Sequence, residues 1–314
     1  MLAMRAGGVY HPQTQTKFGL RWNEQEKELH INAKELLAIF HGLRALYREA
    51  GDQEQHIRVF SDNTTAVFCI RNQGSLHSPV CNAITRDIWL WAIDNKKWLS
   101  TAHCPGILNV EADEASRKFA DETEWALQPS IFHDICKIFG TPDIDLFASR
   151  NNKQVDCFCS WKPDPDAFCI DSFSINWANR FCYAFPPFAI LPAVIQKWQM
   201  DGAFGILIVP NWPTKPWFSK IQEMLCAQPV LLHVTDKLLF LPSRPLSIHP
   251  MVGRLQLLGL LLSPDPYRIE DFLQMWRKPC STQDANHQPS YIDRTTHGGK
   301  SIVVQGVSIP FKEL

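Results

Sequence analysis

Two hydrophobic periods alternate along the first 120 residues. Residues 7–11 (GGVYH) and 18–22 (FGLRW) are short and β-like, and Pro12 to Thr16 supplies the turn between them. Residues 29–33 (LHINA) read as a third strand. From about 32 to 49 the period lengthens. Leu36, Ile39, Phe40, Leu43, Leu46 and Tyr47 form the stripe of an amphipathic helix that Gly51 and Asp52 end. Residues 56–61 (HIRVFS) predict a strand that stops at Asp62-Asn63-Thr64, and a short helix over 64–72 is closed by Gly74. Pro79 opens another helix, with Val80, Ile84, Ile88 and Trp91 on one face. Residues 98–103 predict a strand ending at Pro105-Gly106, and 109–119 a helix with acidic residues in its first turn. The order β-β-β-α-β-α-α-β-α predicts a mixed α/β sheet with hairpins and crossovers.

The pattern then changes. Residues 121–142 read as a linker holding a connecting helix over 130–140, broken at Gly140-Thr141-Pro142. Residues 143–262 form a second α/β segment rich in Pro and Trp: WKPDPD (161–166), FPPF (185–188) and PNWPTKPW (210–217). It contains a helix at about 188–200 and a strand at 203–209, apolar enough to be a parallel strand covered on both faces. Residues 230–234 and 238–241 are two more candidate strands. Residues 263–314 read as a weakly ordered tail, polar and without a clear period from 278 onward.

Composition narrows the classes. The 314 residues are 45% hydrophobic and 20% charged, ordinary for a globular chain. Thirty-one Lys+Arg against 32 Asp+Glu give a net charge of −1. That excludes a chain that holds nucleic acid mainly by bulk positive charge, though not one with a local groove or a metal-assisted site. The longest apolar runs, 203–209 and 257–262, fall short of the ~20 residues that span a bilayer. The N-terminus lacks the apolar core of a signal peptide. The ten cysteines read as reduced, and Cys157-x-Cys159 without a second pair is weak evidence for zinc. The expectation is an intracellular protein with no membrane partner.

Three acids sit where chemistry wants them. Asp62 ends a strand, the usual ligand edge of an α/β sheet. Glu35 lies early in a helix, and Asp113 lies near the start of the last one. Carboxylates converging from such places suit Mg²⁺ or Mn²⁺, and two such ions can drive phosphodiester cleavage. Each residue also has a plainer reading: Glu35 as a solvated helix residue, Asp62 as a helix cap, Asp113 as a charge at a helix start.

The strings HINAKELLA (30–38), FSDNTTAV (60–67) and HCPGILNVEADEASR (103–117) resemble the ribonuclease H domain of reverse transcriptases. The resemblance implies that Glu35, Asp62 and Asp113 are three of four metal-binding acids. It implies that His103 assists turnover, unless it is a surface loop residue. It also implies that Asn32, Asn63, Thr64 and Asn109 contact an RNA–DNA hybrid, whose backbone and 2′-hydroxyls are what a protein reads. The family's first acid matches Met1, and no Asp or Glu precedes Glu24. The expectation is therefore a site short of one carboxylate, from a sequence begun after the first strand or from a decayed copy. Either way, cleavage should be weak or absent. The upstream reverse transcriptase domain would be the partner in an intact polyprotein.

In the second segment IDLFASRNNKQ (144–154), FCSWKPDPDAF (158–168), DSFSINW (171–177), YAFPPF (183–188) and ILIVPNWPTKPWF (206–218) form an ordered series. With the first set it resembles the polyprotein of tyrosine-recombinase retroelements, the DIRS and Ngaro-like group. There this segment is similar to phage-type DNA adenine N6-methyltransferases, which use S-adenosylmethionine. The resemblance sets their catalytic motif at Phe185-Pro186-Pro187-Phe188, with Asp145 or Asp171 near a cofactor. Phe185 lacks the acceptor that holds the target amine, whereas Phe188 could stack on a flipped base. The plainer readings are a rigid turn opening the next helix, and cap or turn roles for the two aspartates. The tryptophans at 161, 177, 198, 212 and 217 read as core first and as base-stacking platforms second. A non-catalytic nucleic-acid-binding module is the remaining reading.

Overall fold

Leu36, Ile39 and Leu43 recur three and four residues apart, so a helix puts them on one face, and burying that face organises the first half of the chain. The computed structural model describes residues 6–47, 54–117, 125–233, 235, 237–244, 246–277 and 301–314. Met1, Gly51, Asp52 and the expected helix ends at 49 and 119 lie outside them. Helices and mixed sheets give an α/β fold. The chain divides into two compact units, Met1–Asp121 with Lys162–Asp166, and Glu122–Trp161 with Ala167–Leu314. No helix among the described residues is long and apolar enough to cross a membrane.

The first unit begins with an antiparallel hairpin, β1 (Ala6–His11) and β2 (Thr16–Arg21). A one-turn helix follows, α1 (Glu24–Lys27), held by a reciprocal cap between Asn23 and Glu26. Next comes α2 (Ile31–Leu46). The third strand expected at 29–33 is not formed. The His30 ring accepts the Asn32 amide at 3.3 Å, so the helix starts at Ile31 and consumes those residues. Strand β3 (Gln55–Ser61), helices α3 (Thr64–Arg71) and α4 (Pro79–Asp94), strand β4 (Lys97–His103) and helix α5 (Val110–Arg117) complete the unit. β3 and β4 are parallel and in register from Gln55 opposite Lys97 to Ser61 opposite His103. Ile57, Ala66, Ile70, Ile84, Ile88 and Leu99 share one core with α2.

The hairpin lies between two helices at van der Waals distance. A Cβ on Gly42 of α2 would meet Val9 at 2.7 Å, and one on Gly8 would collide with the Ala112 carbonyl of α5. Only glycine permits both approaches. Among the described residues the antiparallel and parallel pairings expected of a mixed sheet are both present, as two two-stranded sheets, β1 with β2 and β3 with β4.

The second unit holds β5 (Ala126–Leu127), α6 (Pro129–Phe139), β6 (Ile144–Asp145), β7 (Cys159–Ser160), β8 (Cys169–Ile170) and β9 (Phe181–Ala184). These are followed by α7 (Leu191–Asp201), β10 (Phe204–Pro210), α8 (Phe218–Glu223), β11 (Val230–His233), β12 (Leu239–Phe240) and β13 (Gln256–Leu262). Its last elements are α9 (Pro266–Trp276), β14 (Ser301–Val304), β15 (Val307–Pro310) and β16 (Lys312–Glu313). Six strands form the main sheet in the order β16-β11-β13-β10-β9-β6. β10 runs parallel to β9 and antiparallel to β13. Its Leu207 and Val209 enter one core and its Ile206 and Ile208 another, as a doubly covered strand requires.

Of the tail expected to be weakly ordered over 263–314, residues 263–277 and 301–314 are built into these elements, and residues 278–300 lie outside the described residues. Asp265 caps α9 through the Tyr267 amide. Gln305 and Gly306 both take positive φ, which turns β14 onto β15, and Ile302, Val304 and Ile309 are buried. Four-residue strands leave too few alternations to register as a period. Trp177 and Trp198 are fully buried, as the core reading held, whereas Trp161 is 61% exposed.

Candidate functional site

The parallel pair β3–β4 sets one edge of the site. Ser61 and His103 are opposite each other at the C-terminal ends, and the Cys104 amide donates to the Ser61 carbonyl at 2.9 Å. Asp62 and His103 are therefore neighbours at that edge, both exposed. The Asp62 carboxylate faces the Pro105–Gly106 turn, where a Cβ on Gly106 would lie 3.4 Å from its Oδ2. Asn63 caps α3 by accepting the Ala66 amide, and its Nδ2 donates to Asn32 Oδ1 at 3.0 Å. This bond joins the starts of α2 and α3 across the site, with Thr64 exposed on the first turn of α3.

Glu35 stands one turn into α2 and is mostly withdrawn from water. Burial first, then the charge of Asp62, push its carboxyl up from 4.5 to about 7. It makes no hydrogen bond or ion pair among the described residues. Glu35 and Asp62 thus feel each other's charge, and carboxylates are the hard-oxygen donors that a divalent cation would require.

Asp113 is not drawn into that pair. Its Oδ2 lies 2.6 Å from the Arg117 guanidinium, four residues on, so the last turn of α5 holds it. Among the described residues no three His, Cys, Asp or Glu are placed to hold a metal together. The three expected ligands thus separate into a pair, Glu35 and Asp62, and an acid engaged elsewhere. The spacing of Arg117 four residues after Asp113 is the sequence signal for this pair. The Asn109 carbonyl accepts the Asp113 amide at 3.1 Å.

No protein-family model matches the chain, and no curated protein matches it at a significant level.

In the second unit Asp145 is buried, and burial pushes its carboxyl up to about 7 despite two backbone bonds. Its oxygens accept the Phe147 and Gln154 amides at 3.2 and 3.1 Å, fastening the loop after β6. Asp171 adopts φ +60° and accepts the Phe173 amide at 3.0 Å, a capping role. Phe185-Pro186-Pro187-Phe188 forms the turn from β9 into the 3-10 turn that precedes α7. Phe188 packs edge-on against Trp212, with ring centres 5.5 Å apart. Phe185, Pro187 and Asp171 instead line a cavity of about 300 Å³, with Trp125, Phe147 and Phe173. It opens past the C-terminal ends of β6 and β9, a place where α/β sheets bind ligands.

Proposed function

We propose that the first unit binds a divalent cation, Mg²⁺ or Mn²⁺, between Glu35 and Asp62 and uses it to engage RNA paired with DNA, in the manner of a retroelement ribonuclease H domain. The observation that supports this reading is Glu35, withdrawn from water and raised in part by the charge of Asp62, on a helix whose start is bonded through Asn32 to the Asn63 that follows Asp62. Such a cation would activate a water and stabilise the leaving oxygen in cleavage of the RNA strand. Glu35 and Asp62 would hold it, and Asn32, Asn63, Thr64 and Asn109 would meet the hybrid backbone. His103, exposed at the same strand edge, would assist turnover. With Asp113 paired to Arg117, hydrolysis is weak compared with that of a site where every acid converges.

The test is binding and cleavage of a labelled RNA–DNA hybrid with Mg²⁺ or Mn²⁺, for the full chain and for Glu35→Gln and Asp62→Asn. Cation-dependent binding with slow cleavage, both lost in the variants, is expected. Hybrid binding indifferent to cation and to both variants would leave a non-catalytic nucleic-acid-binding module.

A second reading concerns the other unit. The aromatic cavity beyond β6 and β9 supports a methyltransferase-like ligand site for S-adenosylmethionine, whose adenine ring suits such walls. Phe185 gives the target amine no acceptor, so this reading is of cofactor binding without efficient transfer. Equilibrium dialysis with labelled S-adenosylmethionine tests it, and no retention removes it.

A further inference from the structure

The cavity beyond β6 and β9 is walled by aromatic rings and carries a single charge. Trp125, Phe147, Phe173 and Phe185 are half-buried in its walls, and the exposed Trp161 stands at its mouth. The rings of Phe147 and Phe173 meet at 68° with their centres 5.9 Å apart, so they form a corner and not a flat stack. An aromatic ring is negative on its face, which draws a cation toward it.

Asp171 supplies the charge. One of its carboxylate oxygens accepts the Phe173 amide at 3.0 Å, and the other has no partner among the described residues. The residue is fixed in place, since its amide donates to the Ser160 carbonyl and its own carbonyl accepts the Ser174 hydroxyl, both at 2.7 Å. The remaining polar groups are neutral and engaged with one another. Asn152 Oδ1 accepts the amide and the hydroxyl of Ser149 at 2.6 and 3.0 Å, and the Ser172 carbonyl accepts the Trp177 indole at 2.8 Å. Among the described residues that line the cavity, none is Lys, Arg or His.

This balance selects a ligand class. A ligand of net negative charge would meet Asp171 and no cationic side chain. A primary ammonium is compact and strongly hydrated, and rings offer it no acceptors in place of its water. A quaternary ammonium bears the same charge under an apolar shell of methyl groups, and aromatic walls attract it without having to supply acceptors. At about 300 Å³ the cavity lies at the small end of ligand sites, the size for a head group.

We infer that this cavity is a cage for a quaternary ammonium group, with aromatic rings around its methyls and Asp171 beside its charge. The inference goes beyond the S-adenosylmethionine reading, because it requires neither a planar base nor a transferable methyl. The group has two sources, a free choline-type molecule or a trimethylated lysine side chain on a peptide.

Isothermal titration calorimetry of the full chain tests it, with choline, its neutral isostere in which carbon replaces the nitrogen, and S-adenosylmethionine as separate ligands. Choline should bind saturably, and the isostere, equal in shape but uncharged, about tenfold more weakly. Asp171→Asn keeps the acceptor for the Phe173 amide, and Phe173→Leu keeps an apolar wall. Each should weaken choline at least about threefold and leave the isostere nearly unchanged. Asp171 is exposed, so its variant reads the charge without disturbing the core. Equal binding of choline and its isostere would overturn the inference, as would choline binding indifferent to both variants, or none at millimolar choline. Choline binding without S-adenosylmethionine binding upholds the inference and removes the cofactor reading, and the opposite result does the reverse. A trimethyllysine peptide that binds more tightly than choline, with no binding of its unmodified counterpart, assigns the group to a peptide; the opposite order assigns it to a free molecule.

Discussion

Replacing Glu35 with Gln should stabilise the first unit, and the gain should depend on pH in a defined direction. The carboxyl rises from 4.5 to about 7, so the folded state holds its proton more tightly than the unfolded state does. Stability from this group therefore falls as pH rises through the window from 4.5 to 7. A shift of that size corresponds to a penalty of about 3 kcal/mol, fully present above pH 7 and absent below about pH 4.5. Gln keeps the shape and cannot ionise. Glu35→Gln should gain up to about 3 kcal/mol at pH 8 and almost nothing at pH 4.5. The assay is hydrogen exchange of α2 in both proteins across that range, since α2 belongs to one unit alone. Saturating Mg²⁺ at pH 8 should stabilise the parent and leave the variant unmoved. A gain equal at both pH values, or a loss at pH 8, would refute the reasoning.

Further expectations test other parts of the molecule. Arg117→Ala frees Asp113 from its ion pair, and should tighten Mn²⁺ binding as followed by the loss of free-ion paramagnetic signal; no change would mean that Asp113 cannot reach the pair. Gly8→Ala sets a methyl against the Ala112 carbonyl, and should cost about 1–3 kcal/mol and loosen α5, read as faster exchange over 110–117. Leu36→Ala opens a cavity at a fully buried position and should cost about 2–5 kcal/mol in urea unfolding. Burial pushes Cys136 up to about 11 and Cys182 and Cys226 up to about 12. The fully buried Cys182 should resist iodoacetamide at pH 8 until denaturant is added, and its rapid labelling in the folded protein would contradict that burial, whereas the half-buried Cys136 and Cys226 should label slowly.

What could be read from the chain depended on how local the signal was. The α2 stripe, the strand ending at Asp62 and the Pro79 helix rest on neighbours within a few residues, and all three formed. Whether strands join into one sheet depends on partners far away in sequence. Alternation in β1 and β3 reveals which faces are buried, but nothing about what lies on their edges. LHINA looked like a strand on composition until a cap from His30 gave it to a helix. At the site, the pairing of Glu35 with Asp62 follows from a helix start meeting a strand end. The capture of Asp113 by Arg117 is a competition between two partners that spacing alone does not decide. In the tail, the strands were hidden because each shows only two inward residues.

The position of β16 bears on how the second unit is made. It pairs with Val230 and Leu231 of β11, some eighty residues earlier, and the neighbouring hairpin carries Ile302, Val304 and Ile309 into the core. During synthesis the sheet must wait with β11 as a bare edge and part of its interior open until residues 301–313 leave the ribosome. That interval is when a nascent chain with an exposed strand edge is most prone to wrong pairing. A stop codon before 301 would remove few residues, yet it would hold every molecule at that exposed stage.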